Sequence, residues 1–153
     1  MSKTFSQCSQ LRASVKDVWA HVGTFTGVNR ELWPFARMTF PESLNKITPE
    51  NIPLGQPAFR AWILLFGFIP VDYDDFTLLE LKPGQGFCES SRLFTMLLWK
   101  HRRTITPTST GCELLDELTY IPRWHWMGTF LGWVYRQVFA MRHWKLRRIF
   151  GGA

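Results

Sequence analysis

The sequence has little of what most metal and nucleophile-based centres are made from. Its three cysteines, Cys8, Cys88 and Cys112, lie far apart. An odd count closes no disulfide framework, and the intervals are not those of a metal knuckle. His21, His125 and His143 form neither a His-x-x-x-His nor a His-Glu pairing, so zinc is not expected. A glycine-rich phosphate loop and a Gly-x-Ser-x-Gly elbow are both missing, which removes the usual signs of phosphate cradling and of a hydrolase nucleophile. The longest uncharged apolar run, Ala61 to Val71, is too short to span a bilayer. The opening Met1-Ser2-Lys3-Thr4 lacks the apolar core of a signal peptide. These absences point to a soluble, cytoplasmic chain with no metal and no cofactor. At 153 residues without repeats or low-complexity tracts, it is read as a single domain, 1–153, with one core.

Large aromatics, by contrast, are plentiful: eight Trp and thirteen Phe. Either the core is simply aromatic-rich, or some of these rings wall a cavity, where they give wide apolar surfaces with a few polar tips. Lys and Arg exceed Asp and Glu by six, which favours acidic partners in general. The basic residues are not interleaved with any recognition motif, so nucleic acid is not an expected partner.

Along the chain, residues Thr4 to Leu11 tolerate a strand. Ser14-Val15-Lys16-Asp17 then carries the Ser-x-x-acid signature of a helix start. Val15, Val18, Trp19, Val22 and Phe25 recur at helical spacing. Gly23 and Gly27 are expected to loosen the chain before a second short helix, Asn29 to Trp33, stopped by Pro34. Phe35 to Phe40 can be a strand. Pro41, Pro49, Pro53 and Pro57 punctuate a long connection with the length of a lid.

From there the pattern is strand after strand: Ala58 to Phe66, Val71 to Lys82, Gly86 to Leu93, Leu98 to Thr106 and Cys112 to Ile121, linked as an antiparallel meander. Trp126 to Phe150 reads as one long helix, with basic residues crowding its later turns. Asp72, Asp74 and Asp75 fall where a turn enters a strand and read as a solvated edge.

One strand stands out. Trp99, His101, Arg103 and Ile105 share a face opposite Lys100, Arg102, Thr104 and Thr106. A plain core strand has no need of His101 and Arg103 between Trp99 and Ile105. A hairpin loop at Thr108-Ser109-Thr110-Gly111 sets Arg103 against Asp116, Trp99 against Tyr120, His101 against Leu118 and Arg102 against Glu117. The Arg103–Asp116 pair is either a structural ion pair or the support of a polar pocket feature. Glu89 can join it from the neighbouring strand.

The order of elements resembles the START-like superfamily that includes Bet v 1-type proteins and polyketide cyclases, often called SRPBCC. The resemblance covers nearly the whole chain. It is carried by Ala13-Ser14-Val15-Lys16-Asp17-Val18-Trp19, by the Glu89 strand, by Trp99-Lys100-His101-Arg102-Arg103, by Asp116-Glu117-Leu118-Thr119-Tyr120-Ile121-Pro122, and by Phe139-Ala140-Met141-Arg142-His143. It implies an α+β helix-grip fold: a curved antiparallel sheet wrapped around a long C-terminal helix, two short helices after the first strand, and a deep, largely apolar cavity. Relatives bind lipids, sterols, polyketides, quinones or hormones, and some catalyse cyclisation, dehydration or hydrolysis. The chain departs from the pattern at Arg92-Leu93-Phe94-Thr95-Met96, where many relatives carry a Gly-Pro-Phe turn.

Three functions follow as expectations. The first is a binding module for a hydrophobic small molecule, held by Trp62, Trp99 and Tyr120 and oriented by Glu89, His101 and Arg103. The second is a cyclase or dehydratase in which His101 moves a proton, Arg103 steadies an oxyanion and Asp116 or Glu89 orients the pair. The third is lipid transfer at an anionic membrane surface through Trp126, Trp133, Trp144 and the basic stretch from Arg142 to Arg148.

Overall fold

The computed structural model describes residues 2–46 and 52–152. In chain order the elements are β1 (Lys3–Leu11), α1 (Val15–Val22), α2 (Phe25–Leu32), β2 (Ala36–Met38), β3 (Pro57–Leu65), β4 (Ile69–Lys82), β5 (Gly86–Leu93), β6 (Met96–Thr108), β7 (Gly111–Pro122) and α3 (Gly128–Phe150). The strands form one antiparallel sheet in the order β1-β7-β6-β5-β4-β3-β2. Register shifts between Ile63 and Leu64 and between Leu78 and Glu80 bend the sheet where bulged strands bend. The fold is the α+β helix grip that the sequence implied.

The Ser14 hydroxyl accepts the Asp17 backbone N–H at 3.2 Å and caps α1. Val18 and Val22 drive that helix into a cluster with Leu11, Ile105, Leu114 and Leu146. The second helix begins at Phe25, four residues before the expected Asn29. Thr24 Oγ1 caps it by accepting the Gly27 N–H at 3.0 Å. Gly27 is a point of close approach rather than of loosening, since a Cβ there would stand 1.8 Å from the His21 carbonyl oxygen.

Only Ala36–Met38 of the expected Phe35 to Phe40 strand pairs with β3. Phe35 N–H turns back to the Leu32 carbonyl and is not free for the ladder. The lid expectation falls in part on residues 47–51, which lie outside the described residues. The return leg is anchored: Ile52 is buried against Phe25, Phe76, Leu78 and Phe87, and Leu54 bridges to Leu78.

The apolar run from Ala61 to Val71 folds back on itself at Phe66 and Gly67, both at positive φ, and so becomes the β3–β4 hairpin. The β6–β7 register is the one read from the sequence, with Trp99 opposite Tyr120, Arg102 opposite Glu117, Arg103 opposite Asp116 and Pro107 opposite Cys112. One further pair, Thr108 with Gly111, shortens the loop to Ser109 and Thr110. The first half of α3 packs Leu131 and Phe139 against Trp99, Leu118 and Tyr120. Among the described residues no helix is long and apolar enough to cross a membrane.

Candidate functional site

A cavity of about 410 Å³ lies between the sheet and α3. Alternation along the strands decides which side chains reach it. On β4, Asp72, Asp74 and Phe76 point in; on β5, Phe87, Glu89 and Leu93; on β6, Trp99 and His101. Helix α3 covers them with Leu131, Tyr135, Val138, Phe139 and Arg142, a spacing that keeps one helical face toward the sheet. The walls are therefore mostly hydrocarbon and aromatic, with two polar zones.

At one zone the wall is backed by a network of buried charges. Arg103 Nε and Nη2 donate to the two oxygens of Asp116, each at 2.7 Å, a bidentate fork. The same guanidinium reaches Glu31 on α2 at 3.3–3.4 Å, and Arg142 Nε donates to Glu31 at 3.0 Å. His21 Nε2 lies 3.2 Å from a Glu31 oxygen.

Asp116 also holds His101 Nε2 and His143 Nε2, both at 2.7 Å. Glu31, Arg103, Asp116 and His143 are all at most 1% exposed. Burial alone would raise the Asp116 carboxyl, but the Arg103 guanidinium and then His101 outweigh it and hold it well below the usual carboxylate range. Glu31 is likewise pushed up by burial and pulled further down by Arg103 and Arg142.

Ser9 Oγ approaches His143 Nδ1 at 2.7 Å and completes a serine–histidine–carboxylate chain with Asp116. Its hydroxyl also accepts from Arg147 at 2.9 Å. Neither Ser9 nor His143 lines the cavity, and both are buried.

The second zone gathers three carboxyl groups, Asp72, Asp74 and Glu89. Asp72 is fully engaged: Oδ1 accepts the backbone N–H groups of Tyr73 and Phe94 at 2.8 Å, and Thr95 Oγ1 donates to Oδ2. Glu89 Oε2 accepts from Ser91 Oγ at 2.7 Å. Asp74, 3% exposed, leaves Oδ1 without a hydrogen-bond partner. Burial first, and then the charge of Glu89 beside it, pushes the Asp74 carboxyl well above its ordinary value. Burial and the neighbouring Asp72 also raise the Tyr135 phenol on α3.

The residues expected at the site divide accordingly. Glu89, Trp99 and His101 line the cavity. Arg103 and Asp116 stand behind its wall, so the oxyanion role expected for Arg103 does not hold: its donors are already spent on Asp116 and Glu31. Tyr120 packs against α3 at Gly132 and off the cavity, its hydroxyl filling the space a Cβ would need. Trp62 points to the other face of the sheet, 44% exposed, because Ala61 and Ile63 take the inward positions.

Asp72 and Asp74 are not a solvated edge. Only Asp75 of that run faces outward, paired with Arg60. The sequence reading missed Asp74, Glu31 and Arg142 as site residues. The signal for Asp74 was present, since it shares strand parity with Phe76 and Leu78. The basic run on α3 is also partly spent internally, with Arg142 on Glu31, Arg147 on Ser9 and Lys145 on the Arg30 carbonyl. Of these contacts only Arg142 with Glu31 pairs opposite charges; Lys145 and Arg147 donate to neutral oxygens.

Several solved structures are similar. The Zhui aromatase/cyclase from Streptomyces sp. R1128 is 10% identical with 100% of each chain covered, at a TM-score of 0.71. Protein CV1439 from Chromobacterium violaceum is 19% identical over 92% of this chain and 94% of that one, at 0.65. Ara h 8.0201 is 8% identical over 95% and 98%, at 0.60. At such identities the likeness is one of fold, the START-like, Bet v 1-type helix grip. No curated protein sequence matches the chain. A model for a domain of unknown function, DUF8410, matches residues 9–150, and the chain belongs to that family.

Proposed function

We propose that the chain binds a hydrophobic small molecule in the cavity between its sheet and α3. The observation that carries this reading is the cavity itself: about 410 Å³, within the range of roughly 300–1,000 Å³ typical of ligand pockets. Its walls are apolar, and its polar atoms are gathered into zones that can fix orientation rather than scattered. Trp99 supplies the large ring on the sheet side, 4.6 Å between centroids from Tyr135 on the helix side. Similarity in fold to an aromatase/cyclase supports a cavity put to use.

The test is native mass spectrometry of freshly purified protein, followed by titration with an apolar probe. A co-purifying hydrophobic molecule, or saturable uptake that Val138→Trp abolishes by filling the cavity, is the expected result. A protein that arrives empty and takes up no apolar probe contradicts the reading.

A second reading, an enzyme acting on a carbonyl-bearing substrate, is favoured by one observation: His101 stands on the cavity wall with Asp116 2.7 Å behind its Nε2. A carboxylate fixed on one ring nitrogen sets the tautomer and presents the other nitrogen for proton transfer. Arg103 holds Asp116 in place in this reading and touches no substrate. Turnover of a candidate substrate that survives His101→Gln unchanged would rule it out.

A further inference from the structure

We propose that the ligand of this cavity carries a cationic amine, held between the Asp74 and Glu89 side chains, on an apolar body that fills the remaining space. The inference rests on the ligand-binding reading above and specifies its head group.

It starts from an imbalance between the two polar zones. Glu31 and Asp116 are each met by guanidinium groups and imidazoles. Asp72 is met by backbone N–H groups and Thr95. Asp74 and Glu89, 3% and 5% exposed, both line the cavity, and among the described residues neither is paired with a lysine or arginine. Among the described residues Arg142 is the one arginine or lysine lining the cavity, and its Nε is committed to Glu31.

Buried charges in proteins are as a rule paired or neutralised, because an isolated carboxylate in a low-dielectric site is costly. Here the Asp74 side chain lines the cavity while its buried Oδ1 has no hydrogen-bond partner among the described residues, so the missing counter-charge is left to an occupant of that cavity. A primary ammonium offers three donors on a compact charge, enough for one Asp74 oxygen and one Glu89 oxygen at once.

A metal ion fits less well. Among the described residues no three His, Cys, Asp or Glu converge with the geometry of a metal site, and the third carboxylate, Asp72, already accepts hydrogen bonds on both oxygens. A ligand carboxylate would meet three carboxyl groups. The chain's net charge of +6 does not reverse this preference, since surface charge is screened over about 8 Å at physiological salt while the carboxyls stand in direct contact with the occupant. The competing occupant is a carbonyl compound accepting a hydrogen bond from a protonated Asp74 carboxyl.

Calorimetric titration of the full chain with decylamine, 2-decanone and decanoate separates these cases, because the probes share a chain length and differ in head group. Decylamine is expected to bind about 10-fold or more tightly than 2-decanone, as a charge-assisted hydrogen bond implies, and decanoate to bind most weakly. Asp74→Asn and Glu89→Gln should each shrink that preference to about 3-fold or less, while Asp75→Asn, on the outer face with Arg60, leaves it intact. The ranking in the unmodified protein stands as a test even if a variant fails to fold. Equal or tighter binding of 2-decanone or decanoate, or a preference that survives both substitutions, overturns the amine inference and leaves the cavity reading standing. If none of the three probes binds, the cavity reading itself falls.

Discussion

The two buried polar zones of this molecule use the same side chains to opposite ends. Around Asp116 and Glu31 each carboxylate sits among guanidinium and imidazole groups drawn from α1, β6 and α3. Around Asp74 and Glu89 two carboxyls of similar burial face a cavity. The difference does not lie in burial or in residue type but in which neighbouring element supplies a cation. Where α3 presents Arg142 the charge is compensated by the fold itself; about one to three turns earlier it presents Val138, Tyr135 and Leu131, and compensation is left to whatever enters.

The comparison breaks if carboxylate-to-amide changes in the two zones act alike. The largest effect is expected from Asp116→Asn, which keeps the shape and removes the charge that Arg103 needs. Breaking a buried ion pair from one side costs about 3–5 kcal/mol, so the urea midpoint should fall steeply. A loss below about 1 kcal/mol would mean that the network is not holding the fold, the level at which exposed pairs sit.

Asp74→Asn is expected to act in the other direction. A folded carboxyl whose affinity for protons is raised above its unfolded value, near 3.9, favours the native state only while it stays protonated. That advantage disappears as pH rises from about 4 through the raised folded value, so at pH 7 the native state carries the penalty. The substitution should therefore raise stability at pH 7 by about 1 kcal/mol, and the gain should vanish towards pH 4. A loss of stability at pH 7 would show that Asp74 already has a cation.

Acid titration of the unaltered protein sharpens the same contrast from the network's side. Asp116 and Glu31 are depressed by their arginines. Their contribution is complete above the unfolded values near 4 and is lost as pH falls through the lower folded values. Urea midpoints should drop as pH falls below about 4, and the drop should be smaller in Asp116→Asn. An equal drop in both proteins would remove Asp116 from the account.

Much of this arrangement could be read from the chain. The capping serine, the meander, the β6–β7 register and the inward face of Trp99, His101 and Arg103 follow from local patterns whose periods are fixed by backbone geometry. The second helix was misplaced because Gly27 reads as a breaker, whereas its missing side chain lets α2 close on the His21 carbonyl. The sequence pairs Arg103 with Asp116 but leaves open whether the pair is structural or part of the pocket, because strand parity gives the face and not the depth at which α3 and α2 cover it. Glu31 and Arg142 join the network from 72 and 39 residues away from Arg103 in sequence, by 103 − 31 and 142 − 103, a meeting that only tertiary packing defines. Asp74 was legible in principle, and charge was allowed to outweigh parity.

Parity also supplies the smallest expected effect, and with it a test of which surface the ligand sees. Trp62 was expected at the site for its size, yet it stands on the outer face, edge-on to Tyr73 at 5.6 Å between ring centroids. Arg60 lies over that same Tyr73 ring at 3.9 Å. Trp62→Ala removes one edge contact of a kind worth about 0.5–1.5 kcal/mol and nothing from the cavity, so probe affinity should stay within about 2-fold. Its neighbour Ile63 lines the cavity, and Ile63→Trp puts an indole into the space the occupant needs; affinity should fall about 10-fold or more. Both readings come from the same titration. If Trp62→Ala weakens binding as much as Ile63→Trp does, the ligand lies on the outer face of β3 and the difference between the two polar zones has no bearing on it.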